Sequence, residues 1–197
     1  MLVRSGVLCG FVVLASGCAA VPRGRQLCDA IARRDVAAVH QLLAGPPINA
    51  TRSHGTCVPA DAVFGVAKPD DKVLTDIGIG LVSAGLPADA SWIAPGHADP
   101  VWAIEAAATN GNVELVRALV AVGLDTKSPE TTRALVLAAG AGHLAVVRLL
   151  VQEGADLNAT SAGETPLDRA LAKGHEDVAQ FLQEAAAKQA PAPEKPG

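Results

Sequence analysis

Four side chains that can hold or transfer protons stand close together near the carboxyl end of the chain. The stretch GETPLDRALAKGHEDVAQFL, residues 163–182, contains Asp168, His175, Glu176 and Asp177. In an enzyme, His175 would act as a general base, because imidazole titrates near neutral pH, and a neighbouring carboxylate would fix its tautomer. In a structural protein, the same side chains would be the polar positions of a building block. The rest of the chain decides between these interpretations.

Other sequence patterns of catalysis do not accompany this cluster. The chain has no paired-carboxylate signature, no Gly-rich phosphate-binding loop and no GxSxG motif. His40, His54 and His97 lie in different segments, and the cysteines lack zinc-site spacing. We therefore expect no enzymatic activity, no cofactor and no metal. A small-ligand or metal-binding protein remains the less favoured alternative.

Composition favours a helical protein without a nucleic-acid surface. Half of the residues are hydrophobic but only 3% are aromatic, so Ala, Leu and Val must fill the core. Such a core favours closely packed helices over sheets built on aromatic residues. The formal net charge is -4 and the 16 Lys and Arg are scattered. No basic stripe indicates binding to nucleic acid.

The first segment, MLVRSGVLCGFVVLASGCAA, has the pattern of an export signal. Arg4 precedes an uncharged run that is shorter than the roughly 20 residues needed to span a bilayer. LASGC resembles the bacterial lipobox, which predicts cleavage of residues 1–17 and lipidation of Cys18. An ordinary secretory signal is the alternative. Because Ala19 rather than Asp follows Cys18, we expect a lipid anchor in the outer membrane, with the protein facing the periplasm of a bacterial cell envelope.

Two cysteines remain in the mature chain after Cys9 is removed and Cys18 is acylated. In an oxidising compartment, Cys28 and Cys57 are expected to form one disulfide. A redox or metal pair is the alternative, but the separation of the two residues does not fit a CxxC motif.

The stretch around His175 is one copy of an internal repeat. Residues 133–158 and 102–125 have the same pattern, with His143 and Asn112 at the position of His175. Two further positions recur in all three copies: Ala107, Ala138 and Ala170, and Leu119, Leu150 and Leu182. This periodicity indicates repeated helix-turn-helix units, in which each unit buries its apolar face against its neighbours.

The repeat resembles the ankyrin repeat at specific residues. The last copy has Gly163, then TPL at 165–167, then GH at 174–175, and GADLNA at 154–159 matches the family's repeat end. Thr165 can cap the helix that begins at Pro166, and Gly142 and Gly174 can end the inner helices in left-handed conformation. The resemblance makes His143 and His175 structural residues that hydrogen-bond nearby backbone.

The resemblance implies an all-α ankyrin-repeat solenoid of about four to five helix-turn-helix repeats, with one disulfide. We expect a short linker at 18–26, a repeat domain at 27–187 and a disordered tail at 188–197. Within the domain, 27–45 reads as a capping repeat whose turn lacks the usual Gly. Residues 46–99 read as a divergent, expanded repeat, and 100–187 as regular repeats.

Family analogy also implies a non-enzymatic protein-protein interaction module that binds a partner with its hairpin tips and inner-helix face. Glu130 and Thr132 are expected in a hairpin equivalent to that of Glu164. Trp102 is expected to fill a gap beside the divergent repeat, whereas Trp92 is equally compatible with a core or a binding role. The predicted contact residues are Asp99, Val101, Thr109, Asn110, Ser128, Glu130, Thr132, Ser161, Ala162, Glu164, Ala172 and Lys173.

The expected partner is an unidentified protein of the cell envelope. The module could serve as an immunity protein that neutralises a secreted toxin, or as a tether or scaffold for an envelope enzyme.

Overall fold

The computed structural model describes residues 23–46, 48–49, 58–87, 89–92 and 100–189. Within these residues the chain forms five consecutive helix pairs. The first helices of the pairs are α1 (Arg23–Ala32), α3 (Pro59–Phe64), α5 (Ala103–Thr109), α7 (Pro129–Gly140) and α9 (Pro166–Lys173). The second helices are α2 (Val36–Leu43), α4 (Lys72–Ser83), α6 (Val113–Ala121), α8 (Leu144–Gln152) and α10 (Glu176–Gln189). Strands β1 (Ser91–Trp92) and β2 (Val101–Trp102) pair antiparallel between the second and third helix pairs.

The helices stack in two layers, which fits the predicted all-α repeat fold. Each first helix packs against the first helices of neighbouring pairs, and the second helices do the same. The recurring leucines Leu119, Leu150 and Leu182 are at most 2% exposed. Ala107, Ala138 and Ala170 are fully buried, and their small side chains let the layers approach closely. The core is therefore one continuous sequence of interfaces between repeats.

The first helix begins earlier than the sequence indicated. We predicted a linker over 18–26, but α1 starts at Arg23 and buries Leu27. Arg23 donates hydrogen bonds to the carbonyl oxygens of Leu42 and Pro46, which ties the helix start to the end of α2. The prediction of a linker is thus wrong for residues 23–26, because a tertiary contact holds a segment that has no repeat motif.

The turn of the first pair keeps the repeat geometry without glycine. Arg34 adopts φ 56°, where the later repeats place Gly111, Gly142 and Gly174 at φ 74–76°. A left-handed residue with a side chain is strained. Arg34 compensates through an ion pair with Asp71, with 2.8 Å between Nη2 and Oδ2. An inter-repeat contact therefore stabilises a conformation that the residue type disfavours.

Trp92 belongs to the core. Its side chain is 3% exposed, its Nε1 donates to Asp61 Oδ1 at 2.9 Å, and its ring packs at 6.2 Å from that of Phe64. Trp102 is partly buried and packs on the same core, as expected for a gap filler. The two tryptophans lie on the paired strands, where Trp92 faces Val101. The Trp92 ring is therefore not available as a free hydrophobic anchor.

Helix α7 corrects the prediction of a hairpin at Glu130 and Thr132. Ser128 caps the helix by accepting from the Thr131 backbone N–H, and Pro129 occupies the first turn, so α7 starts a turn earlier than α9. Ser-Pro-Glu is a strong helix start, because serine caps and proline needs no partner for its nitrogen. In the last repeat, by contrast, a hairpin pairs Ser161 with Glu164.

The last helix extends beyond the predicted end of the repeat domain. Helix α10 continues to Gln189, so residues 188–189 are helical rather than part of the predicted disordered tail. Cys18, Cys57 and Asp99 lie outside the described residues, as do residues 1–17 and 190–197. None of the helices in the described part is long and apolar enough to cross a membrane.

Candidate protein-binding surface

The histidines at the start of the second helices bind backbone from the preceding repeat. His175 Nε2 lies 3.1 Å from the carbonyl oxygen of Gly140, and His143 Nε2 lies 2.9 Å from that of Thr109. Each ring packs against a glycine: a Cβ on Gly142 would lie 2.6 Å from His175 Nδ1. The glycine therefore permits the left-handed turn and also leaves room for the imidazole ring. His175 is a structural link between repeats.

Asp168 is also occupied structurally. Its Oδ2 accepts hydrogen bonds from the Thr165 backbone N–H at 3.0 Å and from the Thr165 hydroxyl at 2.7 Å. These bonds lower the pKa of Asp168 from its ordinary value. Thr165 in turn accepts from the Asp168 N–H, which completes a capping box. The polar cluster of the last repeat therefore builds helix ends rather than a general-base pair.

Earlier repeats use acids or amides at the same position. Asp35 and Asp71 accept from backbone N–H groups in the first turns of α2 and α4. Asn112 is 1% exposed, accepts from Leu115 N–H and donates to Thr75 Oγ1 at 2.7 Å. Asp71 was missed in the sequence because Pro69 and Asp70 replace the Gly turn there. The position requires a cap and a link to the neighbouring repeat, which several residue types can supply.

The predicted contact residues divide by exposure. Those exposed are Thr109, Ala162, Ala172 and Lys173, and those half-buried are Val101, Asn110, Ser128, Glu130, Ser161 and Glu164. Thr132 is only 8% exposed, so its prediction as a contact residue is wrong: the early start of α7 turns it into the core. Asn110 donates from Nδ2 to the Phe64 carbonyl at 2.9 Å, which gives it a structural bond as well.

The exposed side chains of α5, α7 and α9, with the hairpin at 161–164, form what we term the first-helix surface. Arg169 pairs with Glu164 on this surface, and its aliphatic part covers Gly140 of the neighbouring helix. A Cβ on Gly140 would lie 2.7 Å from Arg169 Cγ, so only glycine leaves room for this side chain. Charged groups on the surface are therefore positioned across repeats.

Sequence reasoning missed one pair on this surface, Glu105 and Arg133. Glu105 is 8% exposed, and its Oε1 lies 3.3 Å from Arg133 Nε but has no hydrogen bond among the described residues. Burial raises the pKa of Glu105 to about 7, with Arg133 opposing and Glu130 assisting the rise. A single Glu in the apolar run AIEAAA was a signal that could have identified it.

Comparison with known proteins agrees with this architecture. Residues 104–191 match the family model described as ankyrin repeats, in 3 copies. Ankyrin repeats are found here. A 61-residue part of the chain is also 43% identical to the NF-kappa-B inhibitor cactus of Drosophila yakuba and of Drosophila melanogaster. The similar part covers 30% of this chain but 12% of either relative, so the chain spans a small fraction of those proteins.

The ankyrin repeats imply a protein-protein interaction module. Their stacked helices supply a rigid framework, and the first-helix surface presents side chains that differ from one repeat to the next. In the described part of the chain, no group of three or more His, Cys, Asp or Glu is arranged to hold a metal ion.

Proposed function

We propose that this protein is a membrane-anchored, non-enzymatic interaction module of the bacterial cell envelope, which binds a protein partner through the first-helix surface. The supporting observation is the separation of recurring and variable positions in the ankyrin array. Recurring residues such as Leu150 and Ala138 are buried between helices. Variable residues such as Thr109 and Lys173 are exposed on the first helices. Rigid presentation lowers the entropic cost of binding.

Reversal of two charges on this surface is expected to weaken partner binding without unfolding the array. The variant combines Glu164→Lys with Lys173→Glu. Lys173 is exposed, and replacement of Glu164 removes only its ion pair with Arg169. Exposed pairs contribute about 0–1 kcal/mol, so the melting temperature should change little. Pull-down from envelope extract measures the binding, and circular dichroism measures the fold.

The matched control reverses two charges on the other layer. Glu114→Lys with Arg117→Glu changes exposed residues of α6, away from the first-helix surface. This control should retain the partner. If the first variant retains the partner as well as the control does, binding through the first-helix surface is contradicted.

The anchor is proposed to be Cys18, carried by the lipobox-like LASGC. Cleavage after residue 17 would remove the apolar run, so membrane attachment would depend on acyl chains. Cys18→Ser is expected to release the protein from the membrane fraction or to leave it unprocessed. Metabolic acyl labelling measures attachment of the lipid directly, and Cys9→Ser is the control that should be labelled normally. A soluble, unlabelled wild type would contradict the lipid anchor.

The disulfide between Cys28 and Cys57 is proposed as a link between the first two repeats. Cys28 is buried on α1, which packs against α3, and Cys57 directly precedes Val58, the residue before α3. Peptide mass mapping without reduction should find the two cysteines linked in exported protein. Alkylation of both thiols in that protein would contradict the bridge.

The partner determines the biological role. A secreted toxin as partner would make the module an immunity protein, whereas an envelope enzyme would make it a tether or scaffold. Identification of the protein retained by the α6 control and lost by the surface variant distinguishes the two roles.

A further inference from the structure

The pair of Glu105 and Arg133 joins two neighbouring repeats on the first-helix surface. Glu105 lies on α5, and its side chain is 10% exposed, whereas that of Arg133 on α7 is 49% exposed. Arg133 occupies the repeat position of Thr165 and Trp102, so no other regular repeat has a cation there. The guanidinium thus covers the carboxyl and forms the accessible part of the pair.

The contact uses only part of each group. Arg133 Nε lies 3.3 Å from Glu105 Oε1, yet the alignment does not make a hydrogen bond, and Oε1 is buried without one among the described residues. The two terminal nitrogens of Arg133 also have no hydrogen-bond partner in the described part of the chain. A buried polar atom left unsatisfied is uncommon in native proteins and requires an explanation. In the free protein the Glu105 carboxyl lies beside Nε, while the described residues leave the two terminal donors of the guanidinium unused.

We propose that Arg133 is a recognition residue of this surface, which receives a carboxylate of an acidic protein segment on its terminal nitrogens while Glu105 positions the guanidinium through Nε. The planar guanidinium fork matches a carboxylate with two parallel hydrogen bonds. Arginine held by a neighbouring group loses little freedom on binding, and such residues are enriched among binding hot spots. The inference rests on the proposed function, since it names the chemistry of the partner at that surface.

A protonated Glu105 suits an acidic partner better than an ionised one. The ionised carboxylate competes for the guanidinium and, with Glu130, repels an incoming anion. Protonation removes that charge but leaves a neutral carbonyl oxygen beside Nε as an acceptor, so binding of a carboxylate should be accompanied by proton uptake. Affinity for an acidic segment should therefore fall as the pH rises through the pKa of Glu105, near 7.

Few other charges lie next to Glu105. On α3, Asp61 accepts the Trp92 indole N–H. On α6, Glu114 and Arg117 are exposed on the second layer, and β2 has no titratable side chain. The charges that act on the carboxyl are those of Arg133 and Glu130, both on α7.

The test selects binders from a random peptide library on the full chain at about pH 6, below the Glu105 midpoint. The selected peptides should be enriched in Asp and Glu. Their affinity is then compared between Glu105→Gln and the double variant Glu105→Gln with Arg133→Gln, because the neutral amide at position 105 avoids stranding a buried charge. The double variant should bind about tenfold more weakly or worse. Arg117→Gln, at an exposed site on α6 away from the first-helix surface and combined with Glu105→Gln in the same way, is the matched control.

The pH dependence gives a second readout that a merely structural pair would not show. Wild-type affinity should fall several-fold, on the order of threefold to tenfold, between about pH 6 and pH 8, while Glu105→Gln shows no such fall. Equal affinity of Glu105→Gln and of its combination with Arg133→Gln would overturn the proposal. An affinity that rises with pH would also overturn it, since this sign indicates a basic group of the partner beside an ionised Glu105.

A separate measurement distinguishes this inference from the proposed function. Nuclear magnetic resonance follows the Arg133 Nε–H signal and the Glu105 carboxyl carbon while a capped dipeptide of two glutamates, or of two lysines, is added. The acidic dipeptide should shift the Arg133 signal and raise the Glu105 midpoint, and the basic one should do neither. If the acidic dipeptide shifts neither signal, the inference is overturned even where peptides bind elsewhere on the array. If it shifts both but the library yields no binder, the proposed protein-binding function is the part that fails.

Discussion

Leu150→Ala is expected to lower the free energy of unfolding by about 2 to 5 kcal/mol, the range measured for buried leucines. Leu150 lies on α8, is fully buried and occupies the position of Leu119 and Leu182 in the adjacent repeats. The substitution removes apolar atoms from the core that joins consecutive repeats, and neighbouring helices cannot collapse fully into the space. Urea unfolding followed by circular dichroism measures the loss.

Leu171→Ala is the matched control for that cavity. Leu171 is also a helical leucine, but it is 55% exposed on α9. Its truncation should change stability by no more than about 0.5 kcal/mol. Because repeat arrays can unfold in parts, the slope of the transition should be compared as well as its midpoint. Equal midpoints for the two variants would contradict the assignment of Leu150 to the core shared by neighbouring repeats.

The stability of Glu105→Gln relative to that of the wild type is expected to increase as the pH rises. Folding raises the pKa of Glu105 from its ordinary 4.5 to about 7, so the folded state holds the proton more tightly than the unfolded state. Below about pH 4.5 both states are protonated and burial of the carboxyl carries no charge penalty. Between pH 4.5 and 7 the unfolded state ionises first, and wild-type stability falls. Above pH 7 the penalty is complete.

The expected size is about 2 to 3 kcal/mol, since a tenfold change in proton affinity is worth about 1.4 kcal/mol. The quantity to measure is the stability of Glu105→Gln minus that of wild type, at about pH 4.5 and about pH 8, because other titrating groups cancel in this difference. Glu114→Gln, at an exposed site on α6, should give a difference that does not change with pH. A constant difference for Glu105→Gln too would show that folding does not shift the pKa of this carboxyl.

Local sequence rules predicted the regular repeats because those repeats satisfy them locally. Thr165 and Pro166 form the predicted cap, and Gly142 and Gly174 adopt the predicted left-handed turns. The recurring leucines and alanines mark the interface because each repeat must bury the same face. The structural role of His175 also followed from repetition, since Asn112 can take its place.

Longer contacts decided what the pattern did not contain. Arg34 takes a glycine conformation through its bond to Asp71, and Trp92 is buried through Asp61 and Phe64 of another segment. Both outcomes depend on residues that are distant in the chain, and local propensity does not include such contacts.

The candidate surface divides in the same way. The sequence by itself determined which positions are free to vary, because repeated burial fixes the others. Only the tertiary structure placed Arg133 over Glu105, since the two belong to different repeats and meet only when α5 and α7 stack. It also moved Thr132 into the core, because Ser128 and Pro129 start α7 one turn early. The amino-acid sequence sets the repeat pattern. The packing of adjacent repeats decides which charged side chains become buried and which remain available to a partner.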